Sequence, residues 1–502
     1  MSEKHYQIEL PRRLLQRRTH YVESATNTAL APQRLLYIAY QFAPSLEMGA
    51  RSCVQIARHL PAYGWSPVVL TIDEKYVEGQ YLGRIDEVAQ LGLPDEVVRT
   101  RLLPHPFDLY RWLKASRSGN SQRGRENRGD ATSIEVDAPL RAKNRLRRFL
   151  ISTLSIPDLC TGWIFPAVIA GLKAARRSGA QQLFSSGPFW SNHLVGFALS
   201  YLTGLPWTAH FRDPWVAGAP EKPASAISAK INEWLERIIV TRASAVISVT
   251  EEHSDTFRSV YPFLSPGKFI TVPNGYDSDE WENLPADIQA DEKSKEKFLI
   301  TYAGTFYIER DPQPLFRAIK SLIDDGEIGR DQIQVDLIGW CDTSEGRSVR
   351  EMADECGVCD CINILGPRSR PETLYRMSQA NLLLLLAERF VIQIPGKTYE
   401  YLRAGRPILA LTSKGALANF LRRIGGGWVV DPKDDAGIVS ALKESVRQWK
   451  QGRQGRVADQ SLVAGFDRRV LAGQLTKLFD RISAQSKRIA SVQRTQTTRK
   501  PK

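Results

Sequence analysis

Leu382-Leu383-Leu384-Leu385-Leu386, then Pro395-Gly396, then Lys397-Thr398-Tyr399-Glu400-Tyr401-Leu402-Arg403-Ala404, then Gly405-Arg406-Pro407-Ile408-Leu409-Ala410-Leu411: this stretch decides the fold. Five apolar residues are the length of a buried strand. A loop over residues 388–394 follows, and the next block has helical spacing. Gly405 suits its C-cap, and Pro407 opens a second apolar strand. A strand that feeds a helix through a Pro-Gly turn sets backbone N–H groups and a positive dipole end at the carboxyl edge of a sheet. That edge is where α/β folds hold phosphorylated ligands. Lys397 adds a full charge there, and Glu400 lies on the same helix face three residues on. A cation for a diphosphate and a carboxylate for a ribose diol, one turn apart, meet the needs of a nucleotide-sugar site. Spacing alone fits a surface Lys–Glu pair as well.

The same grammar recurs outward. Residues 35–40 read as a strand, 51–60 as a helix and 68–72 as a strand, making one βαβ unit of a parallel sheet. The loop after the first of these strands runs to Gly49, with Arg51 opening the helix, and has no GxGxxG, so it is not a dinucleotide fingerprint. Between residues 180 and 215 charge nearly vanishes. Polar groups gather there at two predicted strand ends: Ser185, Ser186, Asn192, His193, His210, Arg212 and Asp213. Polar groups in apolar surroundings mark a pocket. Arg212 and Asp213 also read as a buried ion pair holding the loop. Residues 298–303 form another strand, followed by Gly304-Thr305 and Arg310.

Ile394-Pro395-Gly396-Lys397-Thr398-Tyr399-Glu400-Tyr401-Leu402, with Ala404-Gly405-Arg406-Pro407-Ile408, resembles a block in glycosyltransferases of the GT-B fold, family-4 type. Phe211-Arg212-Asp213-Pro214-Trp215 is similar to a motif in a bacterial branch of that group. Pro273-Asn274-Gly275-Tyr276-Asp277 resembles the end of its first domain, and Gly425 to Pro432 the strand before its last helix. The resemblance runs from Arg34 to about Ile482. It implies an α/β GT-B architecture, two doubly wound Rossmann-like αβα domains facing a cleft. It further implies transfer of a sugar from a nucleotide-diphosphate donor, with retention and without metal or cofactor. On the donor side it puts Gly304, Thr305, Arg310, Gly396, Lys397 and Glu400. Gly49, Arg51, Ser186, Asn192 and Arg212 fall on the acceptor side. His210 and Asp213 join Lys397 and Arg310 around the reacting centre. Two positions depart from the pattern: His210 stands where Asp is usual, and Ile392 where a second acidic residue precedes Glu400.

At 502 residues the chain exceeds one core, which predicts two domains with tails. The expected boundaries are a basic arm over 1–32, a first domain over 33–285 with a disordered insertion at 115–137, and a linker over 286–297. A second domain over 298–465, a helix over 466–482 and a disordered tail over 483–502 complete the chain. The formal charge of +13 calls for an anionic partner. Most of it lies in predicted tails without interleaved aromatics, which argues against nucleic acid. Residues 140–154 are a basic amphipathic segment suited to an anionic bilayer or to a core-facing helix. No signal-peptide pattern follows the polar start, and no apolar run reaches about 18 residues. The expected place is the cytosol, peripheral to the inner face of the cell membrane. Cys356-Gly357-Val358-Cys359 is a lone C-x-x-C with Cys361 beside it, and a zinc site would need Cys341 as fourth ligand, so structural cysteines are expected. The acceptor, expected to be a saccharide or lipid-linked intermediate of a surface polysaccharide, rests on the resemblance and the basic segment. The rival readings are a nucleotide-sugar 2-epimerase of the same fold and a GT-B-like binding subunit without activity.

Overall fold

The computed structural model describes residues 32–77, 82–83, 91–104, 156–220, 225–282, 284, 296–306, 310–388, 391–453 and 455–497. The expected insertion at 115–137 and the basic segment at 140–154 lie outside these residues. So do all of the arm but Pro32 and most of the linker.

Two parallel sheets organise the described chain. The first contains β1 (Gln33–Ile38), β2 (Trp65–Ile72), β3 (Glu96–Thr100), β4 (Gln182–Gly187), β5 (Trp207–Phe211), β6 (Ala245–Ser248) and β7 (Phe269–Thr271), in the order β3-β2-β1-β4-β5-β6-β7. The second lobe holds β8 (Phe298–Ala303), β9 (Ile333–Ile338), a small hairpin of β10 (Thr343–Ser344) and β11 (Arg347–Ser348), β12 (Ile362–Gly366), β13 (Leu382–Leu386), β14 (Ile408–Leu411) and β15 (Gly427–Val430). Its sheet runs β12-β9-β8-β13-β14-β15. Each sheet grows from its first strand in one direction and then in the other. The reversals fall between β1 and β4 and between β8 and β13. This is the expected doubly wound GT-B pattern, and ligands of such sheets bind beyond the carboxyl ends of the strands at the reversal.

The five leucines of β13 are buried on both faces. Leu382, Leu384 and Leu386 enter one core cluster, Leu383 and Leu385 another. Period-2 alternation with helices on either side requires such an uninterrupted apolar strand.

The C-terminal helix, Arg468–Thr497, crosses back to the first lobe. Leu471, Leu475, Leu478, Phe479 and Ile482 join Leu35, Tyr37, Trp65 and Phe184 in one cluster. The helix continues to Thr497, whereas the sequence suggested a disordered tail from residue 483. Its buried apolar stripe ends at Ile482, and Lys487 and Arg488 beyond it are exposed. Phe479 is fully buried, with ring centroids 5.4 Å from both Trp65 and Phe184. Phe479→Ala is expected to cost about 3–5 kcal/mol, read as a lowered urea midpoint with an unchanged slope. A loss below 1 kcal/mol would mean that this helix does not cover the first sheet in solution.

Candidate active site

The reversal in the second sheet lies between β8 and β13, and the loops leaving these two strands carry the expected donor residues. Lys397 opens the helix Lys397–Arg403. Its ammonium donates to the Ala303 carbonyl at 3.3 Å and lies 3.8 Å from the centroid of the Tyr302 ring. Arg310 donates to the Thr305 carbonyl at 2.6 Å. Burial holds the Lys397 amine well below the usual lysine range, and the neighbouring Arg310 charge adds to this; Cys341 and Glu400 act in the opposite sense. Two basic side chains thus share one turn at the sheet edge, and charging both is costly unless an anion joins them.

Glycine makes the turn possible in an unexpected way. Gly304, expected to let a phosphate approach the backbone, already donates its N–H to the Ile338 carbonyl at 2.8 Å. A Cβ there would stand 3.0 Å from the Lys397 amine, so the missing side chain makes room for the ammonium. Gly339, at φ 114°, lets the next loop cross: its Cβ would meet the Gly304 carbonyl oxygen at 2.2 Å. The expected helix-end donors are also reduced. Thr398 and Tyr399 donate their N–H groups to Pro395 and Gly396. A Cβ at Gly396 would meet nothing within 4 Å, so that side of the turn is open. The Cys341 thiol sits 3.2 Å from the Gly304 carbonyl oxygen, and burial pushes it up to about 12, which keeps it a neutral donor. Of the cysteines expected to be structural, Cys361 directs its thiol to the Arg330 carbonyl.

Glu400 is buried, and both its carboxylate oxygens accept from Arg370, at 2.6 and 3.1 Å. An ionised carboxylate has about four lone-pair sites, so a diol still has acceptors there. Nothing in the sequence joined Arg370 to Glu400 beforehand.

The first-lobe reversal, between β1 and β4, is closed by the chain's own polar groups. Asn192 accepts from the Tyr40 N–H at 2.9 Å and donates to the Ser186 carbonyl at 2.6 Å. Arg212 donates to the carbonyls of Gly49 (2.9 Å), Pro188 (3.0 Å) and Gly187 (3.1 Å). These residues brace three loops. Arg212 forms no ion pair with Asp213: its donors face carbonyls. Ser186 shares a hydrogen bond with His210 at 3.2 Å. His210, expected at the reacting carbon, is 3% exposed and stacks on Phe184, and its Nε2 has no partner within the protein. Burial, then Arg212, holds it well below the usual histidine range, so it is neutral and interior. Arg51 pairs with Glu280 at 2.8 Å.

Asp213 does face the second lobe. It accepts from Gln393 at 2.6 Å, four residues before Lys397. Burial raises its carboxyl above the usual range, against Arg212 and Gln393. Ile392 explains its own departure from the expected acid. Its carbonyl accepts from Thr250, and a Cβ on Gly218 would lie 2.2 Å from its Cδ1, so this residue seats the loop on the first lobe. A cavity of about 640 Å³ bordered by Phe298, Asn381, Arg406 and Trp449 lies at the opposite, amino edge of the second sheet and contains none of these residues. Among the described residues, His59, Asp277 and Asp279 lie close enough for a metal. Arg58 already pairs with both of those carboxylates, and Arg469 with Asp279.

Residues 297–448 match the family described as glycosyl transferases group 1. They are a glycosyl transferases group 1 domain. Every donor-side residue above falls within this group 1 domain, whereas the acceptor-side residues precede it. A stretch of 105 residues is 33% identical to alpha-maltose-1-phosphate synthase of Mycolicibacterium smegmatis, covering 20% of this chain. The chain spans about a quarter of that relative's length, 26%. Among solved structures, sucrose-phosphate synthase from Thermosynechococcus elongatus superposes with TM-score 0.57 at 15% identity, over 90% of this chain and all of that one. Anabaena HepE in complex with UDP-glucose gives 0.57 at 12% identity, over 89% and 99%. These likenesses extend the GT-B fold across both lobes, beyond the group 1 domain.

Proposed function

We propose that this chain is a glycosyltransferase that moves a sugar from a nucleotide-diphosphate donor to an acceptor, and that Lys397 and Arg310 take up the charge of the departing diphosphate. The observation that carries this is the pair of cations at the Gly304 turn, at the sheet reversal of a group 1 glycosyltransferase domain. The C1–O bond to the diphosphate breaks, and the acceptor oxygen bonds to C1. Negative charge grows on the phosphate oxygens, and preorganised cations lower that barrier. We assign receipt of the acceptor proton to Asp213, a reading supported by its contact with Gln393 of the facing lobe and by the burial that raises its carboxyl. Retention of configuration rests on the family-4 resemblance. UDP-sugars are the first donors to test, because HepE was solved with UDP-glucose.

For the acceptor we propose a lipid-linked saccharide at an anionic bilayer, on the cytosolic side. The helix Thr161–Ser178 contains no acidic residue and carries Lys173, Arg176 and Arg177, while Phe165 and Ile169 are exposed. Tyr201 and Leu202, at the end of the adjacent helix Ser191–Thr203, are exposed too. Apolar anchors beside cations suit an anionic interface. Among the described residues, no helix is long and apolar enough to cross a membrane.

The test incubates the full chain with UDP-sugars and membrane lipid extract, and identifies products by mass spectrometry and anomeric NMR. The expected product is a sugar joined to lipid with its donor configuration. A free epimerised sugar would support the epimerase reading instead, and absence of turnover the inactive subunit. Flotation with anionic but not neutral liposomes is the companion result; a protein left at the bottom of both gradients counts against bilayer docking.

A further inference from the structure

We propose that Arg370 is a positioning residue for the donor, holding Glu400 for the ribose diol and tying it through Glu280 to Arg51 of the first lobe. This rests on the nucleotide-sugar reading above. One guanidinium serves two carboxylates. Toward Glu400 it presents Nη2 at 2.6 Å and Nη1 at 3.1 Å; toward Oε2 of Glu280 it presents Nη2 at 2.7 Å and Nε at 3.0 Å. The other Glu280 oxygen accepts from Arg51 at 2.8 Å and from Gln55 at 3.0 Å. The charges alternate, and the side chains are 9–18% exposed. Burial pushes the Glu280 carboxyl up, but Arg370 and Arg51 outweigh it and hold it at about 2.

The four residues come from four separate helices: Met48–His59, Ser278–Glu282, Arg370–Gln379 and Lys397–Arg403. No local spacing forms the chain of charges; only the packing of the lobes does. A planar fork fixes the carboxylate plane of Glu400, which a lysine point charge does not do. A fixed plane aims the remaining lone pairs at a diol. The same fork connects that plane to the helix that bears Arg51, next to the first-lobe loops.

The test measures binding of UDP and GDP to the full chain, each against its 2′,3′-dideoxy analogue, by titration calorimetry. Wild type is expected to prefer the diol about tenfold, and Glu400→Gln to lose that preference. Arg370→Lys and Glu280→Gln are each expected to reduce the preference by about threefold or more, while affinity for the dideoxy analogue stays within about twofold. A merely structural role would weaken both ligands alike. Equal weakening, or an unchanged preference, in these two variants overturns the positioning role, while loss of preference in Glu400→Gln would leave the donor reading standing. If wild type shows no preference, or binds neither nucleotide, the ribose assignment fails and this proposal with it. Melting curves accompany each variant. If Arg370→Lys does not fold, Glu280→Gln decides.

Discussion

Lys397→Ala is expected to lower donor turnover by about 10²–10³-fold, with most of the loss in kcat. The amine sits between the Tyr302 ring and the Ala303 carbonyl before any ligand arrives. No reorganisation is needed when negative charge appears on the diphosphate, so its effect falls on the transition state. Burial makes the effect larger than a surface lysine would have. Removing it should also relieve the repulsion with Arg310, so the fold should be no less stable. The measurement is release of nucleoside diphosphate from the donor in steady state, beside thermal melting. A variant that melts like wild type and turns over within about threefold of it would remove Lys397 from the chemistry.

Donor affinity should fall as pH rises. In the free protein, burial and then Arg310 depress the Lys397 amine. A bound diphosphate favours the ammonium and raises it again. A group protonated more fully in the complex than in the free protein takes up a proton on binding. Affinity is therefore full below the free-protein pKa and declines by up to about tenfold per pH unit above it, until the pKa of the complex is reached. Calorimetry with a nucleotide sugar from pH 7 to 9.5, in buffers of different ionisation enthalpy, gives both slope and proton count. Lys397→Gln should flatten the slope and abolish the uptake. A slope that persists in that variant would assign the titration to another group.

Local order was legible at the points where one segment determines its own state. The leucines of β13, the Pro-Gly entry to the Lys397 helix and Gly405 at its end are neighbours in the chain, and the strand and helix periods follow from them. Lys397 and Arg310 were legible as a pair only through the resemblance, because 86 intervening residues separate them in the sequence. The first-lobe polar cluster was recognised as a pocket, yet most of its side chains face inward. Composition shows that polar groups gather; it does not tell whether their partners are a ligand or neighbouring carbonyls. Asn192 and Arg212 have carbonyl partners, and His210 lies against Phe184.

The resemblance implied the two doubly wound sheets; by itself the sequence determined the strands, their order along the chain and the cationic helix start at Lys397. These depend on periods of 2 and 3.6 and on turn residues, all short-range. Only the tertiary structure decided that Gly304 clears space for an amine, that Ile392 and Gln393 seat their loop on the first lobe, and that Arg370 stands between Glu280 and Glu400. Ion pairs and hydrogen bonds depend on separations of a few ångströms between groups far apart in sequence. Those separations exist only after both cores have packed.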